Sequence, residues 1–262
     1  MKGRAENDDM HMETHGDGPD LVLIHGWAMH GGIFAPLLAA LVPHFRVHVV
    51  DLPGHGYSRD EVHFDVADSA RAIAAATPRA LWVGWSLGGL VALRAALDQP
   101  AQVRGIGLIA SSPRFVSADD WAHGVGAHVF AEFSAELQAR YRHAIERFLA
   151  LETMGSAHAQ AELRELKKLV FARGEPRIEA LADGLAALDT CDLRVELARL
   201  AMPSLWIAGR RDRLVPPAAM QWAAAVAPAA RYLEFNSGHA PFLEHAPAIA
   251  AALAAFAAGL PA

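Results

Sequence analysis

The sequence predicts an α/β fold: a mostly parallel central sheet with helices on both faces and an inserted all-helical cap. Short apolar runs (Leu21-Val-Leu-Ile24, Arg46-Val-His-Val-Val50, Ala80-Leu-Trp-Val83, Gly105-Ile-Gly-Leu-Ile-Ala110) alternate with helix-like stretches, the pattern of parallel strands covered on both sides. From Arg114 to Asp189 the alternation stops, only helical patterns remain, and strands return afterwards. A chain of 262 residues that is 53% hydrophobic and 20% charged can bury one large core. The expected organisation is a polar, ragged and disordered leader over 1–13, an α/β core over 14–113 and 190–262, and a helical cap over 114–189.

Composition narrows the partners. A formal charge of −6 gives no reason to expect nucleic acid. No apolar stretch is read as reaching the ~18 residues that span a bilayer, and the N-terminal residues lack the apolar run of a secretory signal. Cys191 is the single cysteine, so no intrachain disulfide can form, which suits a reducing cytosol. A cytoplasmic monomer is expected, with Cys191 as an ordinary core or boundary residue.

The elements follow in order. Residues 14–19, Thr-His-Gly-Asp-Gly-Pro, read as a turn. The strand Leu21–Ile24 leads into His25-Gly26-Trp27, and Ile33–Val42 reads as a helix. The strand Arg46–Val50 is closed by the tight turn Asp51-Leu-Pro-Gly-His-Gly-Tyr-Ser58, and a helix over Asp65–Ala76 follows. Ala80–Val83 has the length and β-branched or aromatic content of a buried strand, while Leu90, Leu93 and Leu97 repeat at helical spacing. Within the cap, helices are expected around Trp121–Phe133, Ala135–Met154, Ala157–Ala172 and Pro176–Leu188, punctuated by Gly155 and Gly174. The core resumes with the strand Ser204–Ala208, a helix over Pro216–Val226, the strand Arg231–Phe235 and an alanine-rich helix over Ala246–Ala258.

Chemistry concentrates after the strands. Gly84-Trp85-Ser86-Leu87-Gly88 matches G-x-S-x-G between a strand and a helix, where a sharp turn lifts a serine hydroxyl clear of the sheet. Glycines flank it because the backbone must pass close without Cβ clashes. Ser86 is therefore the candidate nucleophile. A serine hydroxyl needs a neutral imidazole to take its proton, and the imidazole needs a carboxylate to fix its tautomer. Of fourteen histidines, His239 lies in a short glycine-preceded loop directly after the last strand, and Asp212 lies in the loop after the strand before it. The order Ser86, Asp212, His239 fits a known serine-nucleophile arrangement. Asp51 also follows a strand, but it precedes Ser86 and is read as a turn-bracing residue. His25 is read as structural and His245 as solvated. The backbone N–H groups of Trp27 and Leu87 are the candidate oxyanion donors. No H-E-x-x-H, paired-cysteine set or helix-opening G-x-G-x-x-G is present, so neither metal nor cofactor is expected.

His25-Gly-Trp27, Asp51-Leu-Pro-Gly-His-Gly56, Gly84-Trp-Ser-Leu-Gly-Gly89, Gly209-Arg-Arg-Asp212 and Gly238-His239 together resemble the α/β-hydrolases. More narrowly, the chain is similar to the biotin-pathway esterases that demethylate pimeloyl-[acyl-carrier protein] methyl ester. That narrower resemblance rests on Gly84–Ala92, Ala110-Ser-Ser-Pro113, Glu146-Arg-Phe-Leu-Ala-Leu-Glu-Thr-Met-Gly155 and Leu166-Lys-Lys168, and extends over most of the chain from about residue 14. It implies a serine carboxylesterase whose partner is an acyl carrier protein bearing the methyl ester. It also implies that Trp27 and Leu87 contact substrate and that Phe148, Leu149, Ala150, Leu151 and Glu152 line an acyl channel. Cap arginines would dock the acidic carrier: Arg147 and Arg164 occupy two such positions, while His143 and Gln160 replace arginine at two others. Glu152 stands where the resemblance leads one to expect a neutral amide.

Other readings of the cap stay open. Ala144, Phe148 and Leu151 form a helical stripe that serves core as readily as channel, and the faces of Arg140, His143 and Arg147 and of Arg164, Lys167 and Lys168 could simply be solvated. Residues 140–173 hold seven Lys or Arg (Arg140, Arg142, Arg147, Arg164, Lys167, Lys168, Arg173) against four Glu (Glu146, Glu152, Glu162, Glu165), a local +3 in a chain of −6. Competing functions are an esterase, perhydrolase or carbon–carbon bond hydrolase acting on small free substrates, and a non-catalytic ligand receptor on the same fold.

Overall fold

The computed structural model describes residues 10–156 and 158–261. Its sheet contains β1 (Met12–His15), β2 (Asp20–Ile24), β3 (Arg46–Val50), β4 (Ala80–Trp85), β5 (Val103–Ile109), β6 (Ser204–Gly209) and β7 (Ala230–Phe235), in the spatial order β1-β3-β2-β4-β5-β6-β7. β1 runs antiparallel to β3 and the other pairings are parallel. Every residue of β4 and β6 is buried, as expected of strands covered on both faces. The core helices are α1 (Ala35–Leu41), α2 (Val66–Ala76) and α3 (Leu87–Asp98) before the cap; Asp65 caps α2 by accepting from Asp68 N–H at 2.8 Å. The cap contributes α4 (His128–Ala139), α5 (Tyr141–Thr153), α6 (Ala159–Leu169) and α7 (Ile178–Thr190), and the core closes with α8 (Pro217–Val226) and α9 (Pro241–Ala258).

Strand order reverses beside β2: the chain goes to β3 on one side and then returns to β4 on the other. In open parallel sheets the carboxyl ends at such a reversal face a crevice. Here that position is shared by the loop after β2, which carries His25-Gly26-Trp27, and the turn after β4, which carries Ser86.

Several sequence expectations are corrected. Residues 12–15 are an edge strand rather than the end of a leader and the start of a turn; Met-Glu-Thr-His carries no apolar alternation, and its pairing with Val47–Val50 comes from tertiary contact. Residues 1–9 of the expected leader lie outside the described residues. Trp121 begins no helix: residues 116–125 fold back through the bridges Val116↔Val125 and Ala118↔Trp121, and α4 starts only at His128. The Trp121 ring meets Trp222 edge-on at 5.0 Å and lies under the Arg194 guanidinium, partners far away in sequence. The break expected near residue 134 falls instead at Arg140, whose φ of −149° and ψ of 62° end α4 and turn the chain into α5.

The last helix starts at Pro241, not Ala246, and is kinked where His245 departs from helical angles and Pro247 follows. It has 18 residues and is apolar enough, by length and composition alone, to cross a membrane, contrary to the sequence reading. Its composition has a local cause: Phe242, Ala246, Ile249, Ala250, Leu253 and Phe256 are buried in the core, and the helix packs on α1, β5 and β6. His245 is not solvated as expected. It is half-buried, its ring stacks 5.2 Å from Phe235, and its Nε2 is buried without a hydrogen-bond partner among the described residues.

Candidate active site

Ser86 sits at φ 54° and ψ −119°, a left-handed backbone that a non-glycine residue adopts only where the surrounding structure enforces it. The enforcement is visible. Ser86 N–H donates to the Ile109 carbonyl at 3.0 Å, and Ser111 Oγ donates to the Ser86 carbonyl at 2.8 Å. A Cβ on Gly88 would lie 2.4 Å from the Ile24 carbonyl oxygen, so only glycine lets α3 begin against the end of β2. Gly26 is confined less severely, since a Cβ there would meet the Ser86 side chain at 3.1 Å. The loop after β2 is thereby pressed onto the serine turn.

Three side chains from three loops converge at this point. His239 Nε2 lies 2.9 Å from Ser86 Oγ, and His239 Nδ1 lies 2.7 Å from Asp212 Oδ2. The other carboxylate oxygen of Asp212 accepts from the N–H groups of Leu214 and Val215 at 2.8 and 2.9 Å, which fixes its plane. The Trp85 indole N–H donates to the His239 carbonyl at 2.9 Å, and His239 N–H donates to the Glu152 carbonyl at 3.3 Å. All three side chains are at most 4% exposed. Burial disfavours a charged imidazole, but the Asp212 charge and hydrogen bond outweigh it and hold His239 above its ordinary range. The arrangement can transfer a proton from a serine hydroxyl to an imidazole oriented by a carboxylate, the requirement for acyl transfer through serine.

A family model described as alpha/beta hydrolase fold matches residues 19–246. The chain belongs to the α/β-hydrolase family. Among relatives of this α/β-hydrolase, a protein of Xanthomonas campestris pv. campestris (strain B100) named pimeloyl-[acyl-carrier protein] methyl ester esterase is 56% identical over 254 residues, covering 96% of this chain and 100% of the relative. A protein of Stenotrophomonas maltophilia (strain R551-3) with the same name is 55% identical, covering 96% and 97%. Among solved structures, a hydrolase from Pseudomonas aeruginosa PA01 superposes with a TM-score of 0.83 at 25% identity, covering 97% of each chain. The enol-lactonase from Burkholderia xenovorans LB400 gives 0.83 at 22% identity, covering 95% and 96%, and supports the fold alone.

The hydrolase places its remaining predicted residues unevenly. Leu87 is the first residue of α3, where a backbone N–H has no acceptor within the helix. Trp27 is wholly buried, its indole N–H donates to the Leu181 carbonyl of α7 at 2.8 Å, and its ring packs on Phe148 of α5 at 4.5 Å. The loop carrying one candidate oxyanion donor is thus tied to the cap. Of the expected channel residues, Phe148, Leu149 and Glu152 are buried and Leu151 is half-buried. Ala150 is corrected: it faces solvent on the outer side of α5, since helical periodicity turns a residue flanked by two inward ones away from the site. His25 accepts Leu52 N–H at 2.9 Å and bonds the Gly26 carbonyl at 2.8 Å. Asp51 accepts from Gly31 and Tyr57 N–H and pairs with Arg173. Both brace loops around the site.

Sequence reasoning missed Trp85, Ser111 and Arg173 as supports of this arrangement. Trp85 and Ser111 lie inside the motifs Gly84–Ala92 and Ala110–Pro113, but which atoms they hold is a matter of tertiary contact. Cys191 is half-buried, and burial pushes its thiol up to about 11, well away from nucleophilic character.

The raised proton affinity of His239 has a measurable consequence. The imidazole must be neutral to accept the serine proton, so activity is lost as pH falls through its pKa. For the free enzyme, kcat/KM should rise through an apparent pKa above the ordinary imidazole value of about 6.5. A limb centred at or below about 6 in a pH–rate profile contradicts the Asp212–His239 pairing.

Proposed function

We propose that this α/β-hydrolase is a cofactor-free serine carboxylesterase that converts pimeloyl-[acyl-carrier protein] methyl ester to pimeloyl-[acyl-carrier protein] and methanol. The observation that carries the chemistry is the buried Ser86–His239–Asp212 relay under a helical cap. The substrate is favoured by the name shared by relatives of 55–56% identity that match almost end to end. Ser86 Oγ attacks the ester carbonyl while His239 takes its proton. The N–H groups of Trp27 and Leu87 receive the oxyanion, and His239 protonates the departing methanol. Water then hydrolyses the acyl-enzyme by the same route. The reading keeps the enzyme in the cytoplasm as a monomer, with neither nucleic acid nor membrane as a partner. Complementation of a biotin-requiring strain lacking its own methyl esterase tests it directly: growth is expected, and failure of the well-expressed protein to support growth contradicts the substrate.

The second reading, an esterase for small free esters, draws on the cap cations. Arg147 pairs with Glu136, Lys167 with Glu146 at 2.7 Å and Lys168 with Glu165 at 2.9 Å, so three of the four docking candidates already have carboxylate partners. His143 also faces Glu136, at 3.3 Å. Arg164 is exposed and has no ion pair among the described residues. Exposed pairs contribute only ~0.2–1 kcal/mol each, so a carrier's carboxylates can displace them. The double reversal Arg147→Glu with Arg164→Glu should raise KM for carrier-linked ester about two- to tenfold and leave a small methyl ester unaffected. KM for the carrier-linked ester should also worsen with added salt. An equal response of both substrates makes the patch structural and favours the second reading.

A further inference from the structure

The inner face of α5 presents a group that the relay does not use. Glu152 is 1% exposed, and among the described residues neither of its carboxyl oxygens has a hydrogen-bond partner. It is held at the site by its own backbone, whose carbonyl accepts His239 N–H at 3.3 Å. One turn earlier Phe148 packs on Trp27, so this face of α5 abuts the oxyanion loop. The titratable groups whose charges act on the carboxyl are His239, from the loop after β7, and Asp212, from the loop after β6. A buried carboxyl left unpaired costs stability, and such a group is retained where a polar visitor satisfies it.

We propose that Glu152 holds the water that hydrolyses the acyl-enzyme, an inference that rests on the esterase reading above. The polar atoms that enter the site can be assigned in turn. The ester carbonyl oxygen is served by the N–H groups of Trp27 and Leu87, the alkoxy oxygen by His239, and the methylene chain has nothing to bond. Water remains. In the resting site His239 Nε2 is occupied by Ser86 Oγ at 2.9 Å, and acylation of the serine frees it to accept from a water beside it. Burial pushes the Glu152 carboxyl up to about 8, so at neutral pH it keeps its proton and can both donate to and accept from that water. The uncharged form also avoids competing with Asp212 for the imidazolium. The water oxygen then attacks the acyl carbon as one of its protons passes to His239 Nε2. The bond from that carbon to Ser86 Oγ breaks, Oγ recovers the proton from His239, and the carboxylic acid leaves.

The test separates the two half-reactions by rapid mixing with p-nitrophenyl butyrate. In Glu152→Leu, acylation should proceed within about twofold of wild type. A burst of about one p-nitrophenol per enzyme should follow, then a steady state at least about tenfold slower than wild type. Glu152→Gln, which keeps a donor and an acceptor, should restore most of that steady-state rate. A melting temperature of Glu152→Leu no lower than wild type verifies its fold. The inference is overturned if Glu152→Leu turns over like wild type, if both half-reactions fall together, or if Glu152→Gln is as slow as Glu152→Leu. A wild-type enzyme that releases no p-nitrophenol overturns the esterase reading itself, and this inference with it.

Discussion

Replacement of Ser86 by alanine should lower kcat by about 10⁴–10⁶ with the fold intact. The size follows from what the hydroxyl does. Oγ is the atom 2.9 Å from His239 Nε2, and without it no covalent acyl transfer can begin. The fold should survive because the contacts that hold the strained turn come from the backbone. Ser86 N–H bonds the Ile109 carbonyl, and the Ser86 carbonyl accepts from Ser111 Oγ. Alanine at φ 54° bears much the same backbone strain as serine, so the melting temperature should move little. Steady-state rates on an activated ester and a thermal melt measure both parts. In the wild-type enzyme a serine-directed phosphonate should leave its adduct on Ser86 by mass spectrometry. An adduct on another serine or on Cys191, with parallel loss of activity, would overturn the assignment.

Asp212→Asn should cost about 10⁴ in kcat, again with little change in melting temperature. The carboxylate accepts from Leu214 and Val215 N–H through one oxygen and from His239 Nδ1 through the other. An amide whose oxygen keeps the two backbone donors must turn its NH₂ toward Nδ1. The imidazole then carries its proton on Nε2, where it faces Ser86 as a donor and can no longer act as base. Loss of the charge should also lower the His239 pKa and shift the acid limb of kcat/KM downward. Rescue by another acid is disfavoured by geometry. Asp51 is committed to Gly31, Tyr57 and Arg173, and Asp192 is paired with Arg114 and Arg194, which hold it down to about 2. Near-wild-type turnover in Asp212→Asn would mean that some acid other than Asp212 orients the histidine.

Much of this molecule was legible because its signals are local. The parallel strands are short apolar runs bounded by turn residues, and the serine turn needs glycines at fixed offsets. The loops carrying Asp212 and His239 follow directly from strands. Elements whose stability comes from partners distant in sequence were not legible. β1 is four residues of Met-Glu-Thr-His that become a strand only because β3 offers an edge. Residues 116–125 fold back on partners that include Trp222 and Arg194. The apolar α9 is explained by burial that no linear pattern reveals.

The candidate site divides the same way. The sequence by itself determined which residue types could perform acyl transfer and in what chain order, because nucleophile, acid and base each sit in a loop marked by its neighbours. Only the tertiary structure decided that Ser86, His239 and Asp212 lie within hydrogen-bond reach and out of solvent. It also decided that Ala150 faces away while Glu152 is sealed against the histidine loop, its carboxyl without a partner among the described residues. Distance and burial are properties of the packed sheet and cap, and a carboxyl's protonation follows from them rather than from its place in the chain.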